Sequence, residues 1–135
     1  MKIKSLVIIT LLLSCLTGSA SAYNPDQVQQ LINTLECQDC DLSNAGLQGL
    51  DLSGANLKRA NLNGVDLRGA DLSDAQLQGA TLHAAKLGDA NLAGATGVKL
   101  AGAILNADTI LPDGQRHGDV IEDGGVIEDV EEKHL

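Results

Sequence analysis

The residues best suited to chemistry are two cysteines in a C-x-x-C pair, Cys37-Gln38-Asp39-Cys40. This spacing occurs in thiol–disulfide redox sites and as half of a zinc site. A zinc site is disfavoured, because the sequence has no second C-x-x-C and its histidines lie far away, at His83, His117 and His134. A thioredoxin-type redox motif opens a helix after a strand, whereas this pair follows a predicted helix and precedes a repeat. The pair therefore favours a structural role over catalysis.

The other polar residues form no catalytic constellation. Asp and Asn recur along the chain, but nothing in the sequence buries one of them to shift its pKa. No histidine has a nearby Ser or Cys nucleophile, and no Gly-Lys-Ser/Thr follows the glycines as a phosphate loop would require. The sequence therefore predicts a protein that is not an enzyme and that uses no metal and no cofactor.

Composition excludes two further classes of protein. The chain has 135 residues, a net charge of −9 and one aromatic residue, Tyr23. An acidic chain without other aromatic rings offers neither a phosphate-binding surface nor a platform for bases, so no nucleic-acid partner is expected. No stretch reaches the roughly 20 apolar residues of a membrane span, so no span is expected either.

The segment 1–22 has the pattern of a secretory signal peptide. Lys2 and Lys4 precede the apolar stretch Leu6–Leu13, and the segment ends at Ala20-Ser21-Ala22, after which cleavage is expected. An uncleaved N-terminal anchor is the alternative. We expect an exported protein of the periplasm, the thylakoid lumen or the extracellular medium. The chain from 23 to 135 would then carry a net charge of −11.

A second form of processing involves the cysteine inside this segment. Leu12-Leu13-Ser14-Cys15 resembles the lipobox of bacterial lipoproteins, which would place a lipid anchor on Cys15. Leu13 departs from that motif, because a small or β-branched residue is usual there. In either case export leads to an oxidising compartment, where a disulfide between Cys37 and Cys40 is the default expectation.

Leucine recurs at every fifth residue over the middle of the chain. Eleven leucines follow this period: Leu42, Leu47, Leu52, Leu57, Leu62, Leu67, Leu72, Leu77, Leu82, Leu87 and Leu92. A helix would scatter them around all its faces, since five residues advance about 500°, and a single strand would alternate their sides. A short extended piece with a corner after each repeat buries them all. The sequence therefore predicts an all-β solenoid.

Within each repeat the residue two places before the leucine is usually alanine and also points inward. The residue between them is usually Asp or Asn and points outward, and the two residues after the leucine form the corner, where glycine supplies turn conformations. The predicted corner glycines are Gly49, Gly54, Gly64, Gly69, Gly79 and Gly94.

Three of these units resemble the A(D/N)LxX repeat of the pentapeptide repeat family: Ala-Asn-Leu-Lys-Arg at 55–59, Ala-Asn-Leu-Asn-Gly at 60–64 and Ala-Asp-Leu-Ser-Asp at 70–74. The resemblance implies a right-handed quadrilateral β-helix with four repeats per turn. Residues 31–43 are also similar to the lead-in of exported cyanobacterial members, in which a short helix and a C-x-x-C precede the first repeat. Residues 109–114 are similar to the way such arrays end.

The chain outside the repeats divides into an N-terminal and a C-terminal segment. Asn24 and Pro25 predict a helix start, and an apolar stripe predicts a helix to Leu35 that caps the first coil. The expected divisions are 1–22 for the signal peptide, 23–39 for the capping helix and linker, 40–112 for the β-helix and 113–135 for an acidic tail. After Leu92 the leucines resume at Leu100, Leu105 and Ile110, and we interpret the irregular step as an insertion at a corner.

In the acidic tail, Val-Ile-Glu-Asp occurs at 120–123 and again at 126–129, which predicts either a hairpin or an unstructured segment. The repeats themselves carry a net charge of only −2 over residues 40–112, against −6 over 113–135. We therefore expect nearly neutral faces on the solenoid and the acidity in the tail.

Three hypotheses about function follow. The first is a non-catalytic exported module that binds an unknown protein partner or serves as a scaffold, touching its partner through outward residues: Lys58, Arg59, Arg68, Gln78 and His83. The second, known for gyrase-protecting members of the family, is a DNA mimic that inhibits or protects a topoisomerase. The third is a thiol–disulfide redox protein that uses the C-x-x-C pair. The signal peptide, the short array and the nearly neutral faces oppose the second hypothesis.

Overall fold

The five-residue period gives each turn of the chain four short sides. The computed structural model describes residues 23–121, and in this range nine consecutive parallel β-bridges join positions four repeats apart, from Glu36–Asn56 to Gln76–Thr96. Each side is extended so briefly that it forms single bridges. Four repeats per coil make the cross-section square, and the predicted quadrilateral β-helix is confirmed.

We number the four sides by the lowest bridge on each. Side 1 begins at Glu36, side 2 at Asp41, side 3 at Gly46 and side 4 at Asp51. Backbone hydrogen bonds run between coils along every side: on side 1, for example, Leu57 N donates to the carbonyl oxygen of Gln76 over 2.9 Å. The first bridge lies four residues before the predicted start of the array at residue 40.

The interior consists of the residues that the period places inward. All eleven leucines of the ladder are at most 3% exposed, and most of the alanines two residues before them are equally buried. Each buried leucine contributes roughly 1.5–3 kcal/mol of hydrophobic free energy. The core itself is aliphatic, and Tyr23 packs against it only partly buried.

The corners need left-handed backbone at the second residue after each leucine. Twelve such positions in succession have φ between 57° and 73°, namely Asp39, Asn44, Gly49, Gly54, Arg59, Gly64, Gly69, Asp74, Gly79, Ala84, Asp89 and Gly94. Glycine, asparagine and aspartate adopt this conformation most readily. Among these twelve, Arg59 and Ala84 are the exceptions.

Ala84 gives a direct test of the corner geometry. Its φ is 58° and its side chain is exposed, so Ala84→Gly removes a strained Cβ without removing core packing. We expect the free energy of unfolding to rise by roughly 0.5–1 kcal/mol, measured by urea denaturation. Ala101→Gly is the matched control, because Ala101 is exposed and is not among the positive-φ residues. An equal gain from both substitutions would contradict this account.

The N-terminal end is covered by α1, Pro25–Thr34, which ends one residue before the predicted end. The Asn24 side chain accepts a hydrogen bond from Asp26 N, and Pro25 opens the first turn. Val28, Leu31 and Ile32 form the buried stripe. Because these residues belong to the same apolar cluster as the first leucines, α1 closes the lower end of the core.

The last coil shows that the step after Leu92 is a shortening and not the predicted insertion. Lys86 pairs with Ile104, so this part of the coil is two residues shorter than the coils below it. Leu100 lies above Leu82 with the same two residues missing between them, and it is buried at the leucine position. The step from Leu92 to Leu100 is therefore two repeats with two residues removed.

The final position of the predicted leucine series is also corrected. Ile110 pairs with Asn91 and therefore occupies an outward position, while Leu111 is buried at the leucine position of side 4. Thr109 replaces the usual alanine and is fully buried. Its hydroxyl donates to Leu87 O over 2.9 Å, which satisfies the buried oxygen.

Residues after 111 fold back over the last coil. Leu111 N donates to Gln115 O, Arg116 pairs with Ile110 in an antiparallel bridge, and α2 spans His117–Ile121. Val120 and Ile121 are helical, so they do not form the first strand of the predicted hairpin. The rest of the predicted acidic tail, the predicted signal peptide and Cys15 lie outside the described residues. Within residues 23–121 no helix is long and apolar enough to cross a membrane.

Candidate functional site

The two cysteines occupy inward positions of the first coil. Cys37 lies at a leucine position, four repeats before Leu57, and Cys40 lies at an alanine position, four repeats before Ala60. Their sulfur atoms are 2.08 Å apart and their Cα atoms 5.3 Å apart. The exposed fractions are 0% for Cys37 and 3% for Cys40. The pair therefore fills space that leucine and alanine fill elsewhere in the stack.

One residue of α1 contacts this sulfur pair directly. The carbonyl oxygen of Gln27 is 3.3 Å from Cys37 Sγ, and the side-chain oxygen of Gln27 accepts a 2.6 Å hydrogen bond from Asp41 N. Reactive cysteines are partly exposed in electropositive surroundings. Burial beneath a helix is instead typical of a structural disulfide, and that role stays a prediction.

The outward Asp and Asn residues have a structural function that sequence reasoning missed. Their side-chain oxygens accept hydrogen bonds from the backbone N–H two residues later, as in Asp71 to Ser73 at 2.9 Å and Asn91 to Ala93 at 3.0 Å. The same contact occurs at Asp41, Asp51, Asn56, Asn61 and Asp66. Asp and Asn are favoured here because they fix the start of the corner.

Asp66 is the most strongly perturbed carboxylate of the array. Arg68 binds it through two hydrogen bonds of 2.8 and 2.6 Å, and Gln48 donates a third of 2.8 Å. The Arg68 guanidinium lowers the pKa of Asp66 to about 2, with Gln48 and the Arg68 backbone adding to the effect against partial burial. Asp66 lies on side 3 and Arg68 at the corner that follows it, so the ion pair joins this side to its corner.

The low pKa of Asp66 predicts a pH-dependent contribution to stability. Because the folded pKa lies below the unfolded value of about 3.9, the contribution is complete above about pH 5 and is lost as the pH falls towards 2. We expect Asp66→Asn to lower the free energy of unfolding by roughly 1 kcal/mol at pH 5, since the exposed Arg68 is partly screened.

The difference between Asp66→Asn and the wild type should shrink when urea denaturation is repeated at pH 2. Asp74→Asn is the control, because it removes the same charge at an exposed corner of side 4. A loss for Asp66→Asn that is the same at pH 5 and pH 2 would show that the ion pair contributes nothing.

The predicted partner residues do not share one face. Lys58, Arg59 and Gln78 lie together at the corner between sides 1 and 2, where Arg59 N donates to Gln78 O over 2.8 Å. His83 lies at the corner between sides 2 and 3, and Arg68 at the corner between sides 3 and 4. Because residues four repeats apart lie above one another, the five predicted partner residues fall at three different corners.

Four of these residues are also engaged within the protein: Arg68 binds Asp66, and Gln78 Nε2 donates to Thr96 Oγ1 over 2.7 Å. Arg59 pairs with Asp39 across one coil at 2.7 Å, which lowers the pKa of Asp39. The ring of His83 lies against the backbone of Gly102, where an added Cβ would be 2.5 Å from Nδ1. Lys58 makes no ion pair within residues 23–121.

The structure also corrects the expectation that the faces are nearly neutral. Side 4 and its corner carry Asp51, Asp71 and Asp74 among serine, glycine, asparagine and alanine, with no lysine or arginine in the first three coils. Sides 1 and 3 carry acidic and basic residues together, as with Asp66 and Lys86, which form a β-bridge on side 3, and side 2 carries a single carboxylate, Asp41, in the first three coils. The negative charge of the array is therefore concentrated on one side.

These observations match one family of proteins. The model for pentapeptide repeats matches eight copies over residues 36–74 and 75–106, more than half of the chain. The chain belongs to the pentapeptide repeat family. This confirms the predicted fold class, a right-handed quadrilateral β-helix, and the match begins at the coil that contains Cys37. No curated protein sequence matches the chain.

Solved structures of pentapeptide repeat proteins resemble the chain only loosely. QnrB1, a plasmid-mediated fluoroquinolone resistance protein, is 22% identical over 53% of this chain and 37% of its own, with a TM-score of 0.42. HetL from the cyanobacterium Nostoc sp. strain PCC 7120, involved in heterocyst differentiation regulation, is 28% identical over 61% and 51%, with a TM-score of 0.29. This chain thus spans about a third to a half of the length of these two proteins.

A pentapeptide repeat protein of the Arabidopsis thaliana thylakoid lumen, AT2G44920, is 25% identical over 76% of this chain and 80% of its own, with a TM-score of 0.26.

Within residues 23–121 of the present pentapeptide repeat protein, no group of three or more His, Cys, Asp or Glu residues is arranged to hold a metal ion.

Proposed function

We propose that this pentapeptide repeat protein is a non-catalytic exported module that binds a protein partner or serves as a scaffold. The supporting observation is the run of nine bridges at a constant spacing of four repeats, which arranges outward side chains in straight rows on flat sides. Inward positions are used for packing, and outward Asp and Asn residues are bound to their own backbone. Rigid solenoids of this kind bind partners through extended surfaces.

Export is supported by the sequence pattern of residues 1–22 and by the cysteine pair. Two cysteines packed as a disulfide suit an oxidising compartment such as the periplasm, the thylakoid lumen or the medium. Cell fractionation followed by mass measurement of the purified protein tests this part. We expect a chain that begins at Tyr23, and an intact chain in the cytosol would contradict export.

The surface we propose for the partner is the Lys58 edge, defined as Lys58, Arg59 and Gln78 at the corner between sides 1 and 2. It is the place where three of the five predicted partner residues lie together. The Arg59–Asp39 ion pair is more than half exposed on both sides, so it costs little to rearrange when a partner binds. An acidic or polar patch on the partner would complement the charge of Lys58.

A pull-down with the exported protein from its native extract tests the Lys58 edge. Lys58→Glu combined with Gln78→Glu should weaken partner recovery at least about tenfold, because charge reversal within an interface costs over about 1.4 kcal/mol. Lys86→Glu is the control on side 3 and should retain the partner. The melting temperature should be almost unchanged in the double variant, since neither Lys58 nor Gln78 is part of the core.

Other outcomes distinguish the remaining hypotheses. Equal partner loss in both variants would contradict the Lys58 edge and leave a different face as the contact. Inhibition of DNA supercoiling by gyrase would instead support the DNA-mimic hypothesis, and catalytic turnover of a disulfide substrate would support the redox hypothesis. Either of these two activities would overturn the proposed function.

A further inference from the structure

The cysteine pair lies between two structural units, the first coil and α1. Gln27 of α1 contacts Cys37 Sγ through its carbonyl oxygen, 3.3 Å away. Two hydrogen bonds join the same helix region to Asp41: Asn24 N donates to Asp41 O over 3.2 Å, and Asp41 N donates to the Gln27 side chain over 2.6 Å. The sulfur atoms are therefore enclosed on the lower side by α1.

We propose that the docking of α1 controls whether the Cys37–Cys40 disulfide can be reduced, which makes the N-terminal cap a redox-sensitive device. The inference rests on the disulfide that the proposed function includes. A thiolate must reach one sulfur atom to attack it, yet Cys37 is 0% and Cys40 3% exposed. Undocking of α1 exposes them with less free energy than unfolding the array would need.

The chemistry is ordinary thiol–disulfide exchange with a dithiol reductant. One thiolate of the reductant attacks a sulfur of the pair and forms a mixed disulfide, and the other cysteine leaves as a thiolate. The second thiol of the reductant then displaces the first cysteine. Two electrons pass to the protein, both cysteines take up protons, and the reductant becomes the disulfide.

The coupling acts in both directions. Breaking the S–S bond lets the two sulfur atoms separate to van der Waals distance beneath the helix that packs on them, so reduction should in turn weaken the docking of α1. The undocked helix would expose the apolar stripe of Val28, Leu31 and Ile32 and the unpaired lower edge of the first coil. A reductant would thereby convert a covered end of the solenoid into an open edge that can pair with another chain.

The rate of reduction tests this proposal. The full chain is expressed so that its own segment 1–22 directs export, and the purified protein is reduced with dithiothreitol while free thiols are counted by mass spectrometry. Leu31→Ala should accelerate reduction at least tenfold, because it removes buried contacts of α1. Ile32→Val, a milder change that retains the fold, should accelerate it roughly two- to tenfold.

Leu87→Ala is the matched control, with the same loss of buried volume in the third coil, far from α1 in the stack. It should change the rate less than twofold. Equal acceleration by Leu31→Ala and Leu87→Ala, or none by Leu31→Ala and Ile32→Val, would overturn the proposal. Free Cys37 and Cys40 thiols in the untreated exported protein would overturn the disulfide itself, and with it this inference, while leaving partner binding by the Lys58 edge intact.

Discussion

Leu67→Lys should prevent the β-helix from folding. Leu67 is completely buried in the middle of the leucine ladder, between Leu47 below and Leu87 above. Truncation to alanine at such a site costs roughly 2–5 kcal/mol. Lysine adds the cost of burying an ammonium group with no partner. The two costs together remove most or all of a domain's free energy of unfolding, which is about 5–15 kcal/mol. Circular dichroism should show the loss of the cooperative unfolding transition.

Gln48→Lys provides the control for Leu67→Lys. Gln48 lies at an exposed corner beside side 3, and its side chain donates to Asp66, so lysine there introduces the same charge next to a carboxylate. We expect a change within about 0.5 kcal/mol in the free energy of unfolding. A folded Leu67→Lys protein with an ordinary transition would refute the inward placement of the ladder.

Gly97→Ala should produce the second large effect. Gly97 has φ 68°, and a Cβ there would lie 2.6 Å from Gln78 Cα and 2.7 Å from Gln78 N. Because these are backbone atoms, the clash cannot be relieved by rotating a side chain. Left-handed strain and overpacking together should lower the free energy of unfolding by roughly 2–4 kcal/mol in urea denaturation.

Gly54→Ala separates the clash at Gly97 from the effect of left-handed backbone alone. Gly54 has nearly the same φ, 69°, but an added Cβ there meets nothing within 4 Å. We expect a loss of about 1 kcal/mol from strain only. Similar losses for Gly97→Ala and Gly54→Ala would show that the close approach of the last coil to Gln78 does not exist.

The regular part of the fold could be predicted from the sequence because the period of five has one simple solution. Inward leucines, small residues two places earlier and left-handed corners all follow from burying two residues in every five. The start of α1 could be predicted for a different reason, since Asn24 and Pro25 are local signals. Both features depend on residues close together in the chain.

The irregular part depends on which residues stack on one another between coils. The eight residues from Leu92 to Leu100 could be one repeat with three residues inserted or two repeats with two residues removed. Only the pairing of Lys86 with Ile104 decides between them. Ile110 and Leu111 are both apolar, so hydrophobicity could not choose between them. The deciding signal is Thr109, whose hydroxyl reaches Leu87 O from inside the stack.

An outward position alone does not sort the predicted partner residues, whereas the coil length of four repeats does. Lys58 and Gln78 are separated by one full coil and share a corner, whereas Arg68 and His83 are separated from them by fractions of a coil. The role of the outward Asp and Asn residues could not be found this way, because it depends on backbone N–H groups that nearly every residue possesses.

The constant coil length restricts how such an array can change in length. Duplication of four consecutive repeats adds one layer and leaves every row on its original side. Duplication of a single repeat adds a quarter turn, so that each row beyond it moves to the neighbouring side and any surface built across several coils is broken. The shortened last coil avoids this, because its two missing residues are removed at a corner: Ile104 remains above Lys86, and side 3 continues straight to the end of the stack.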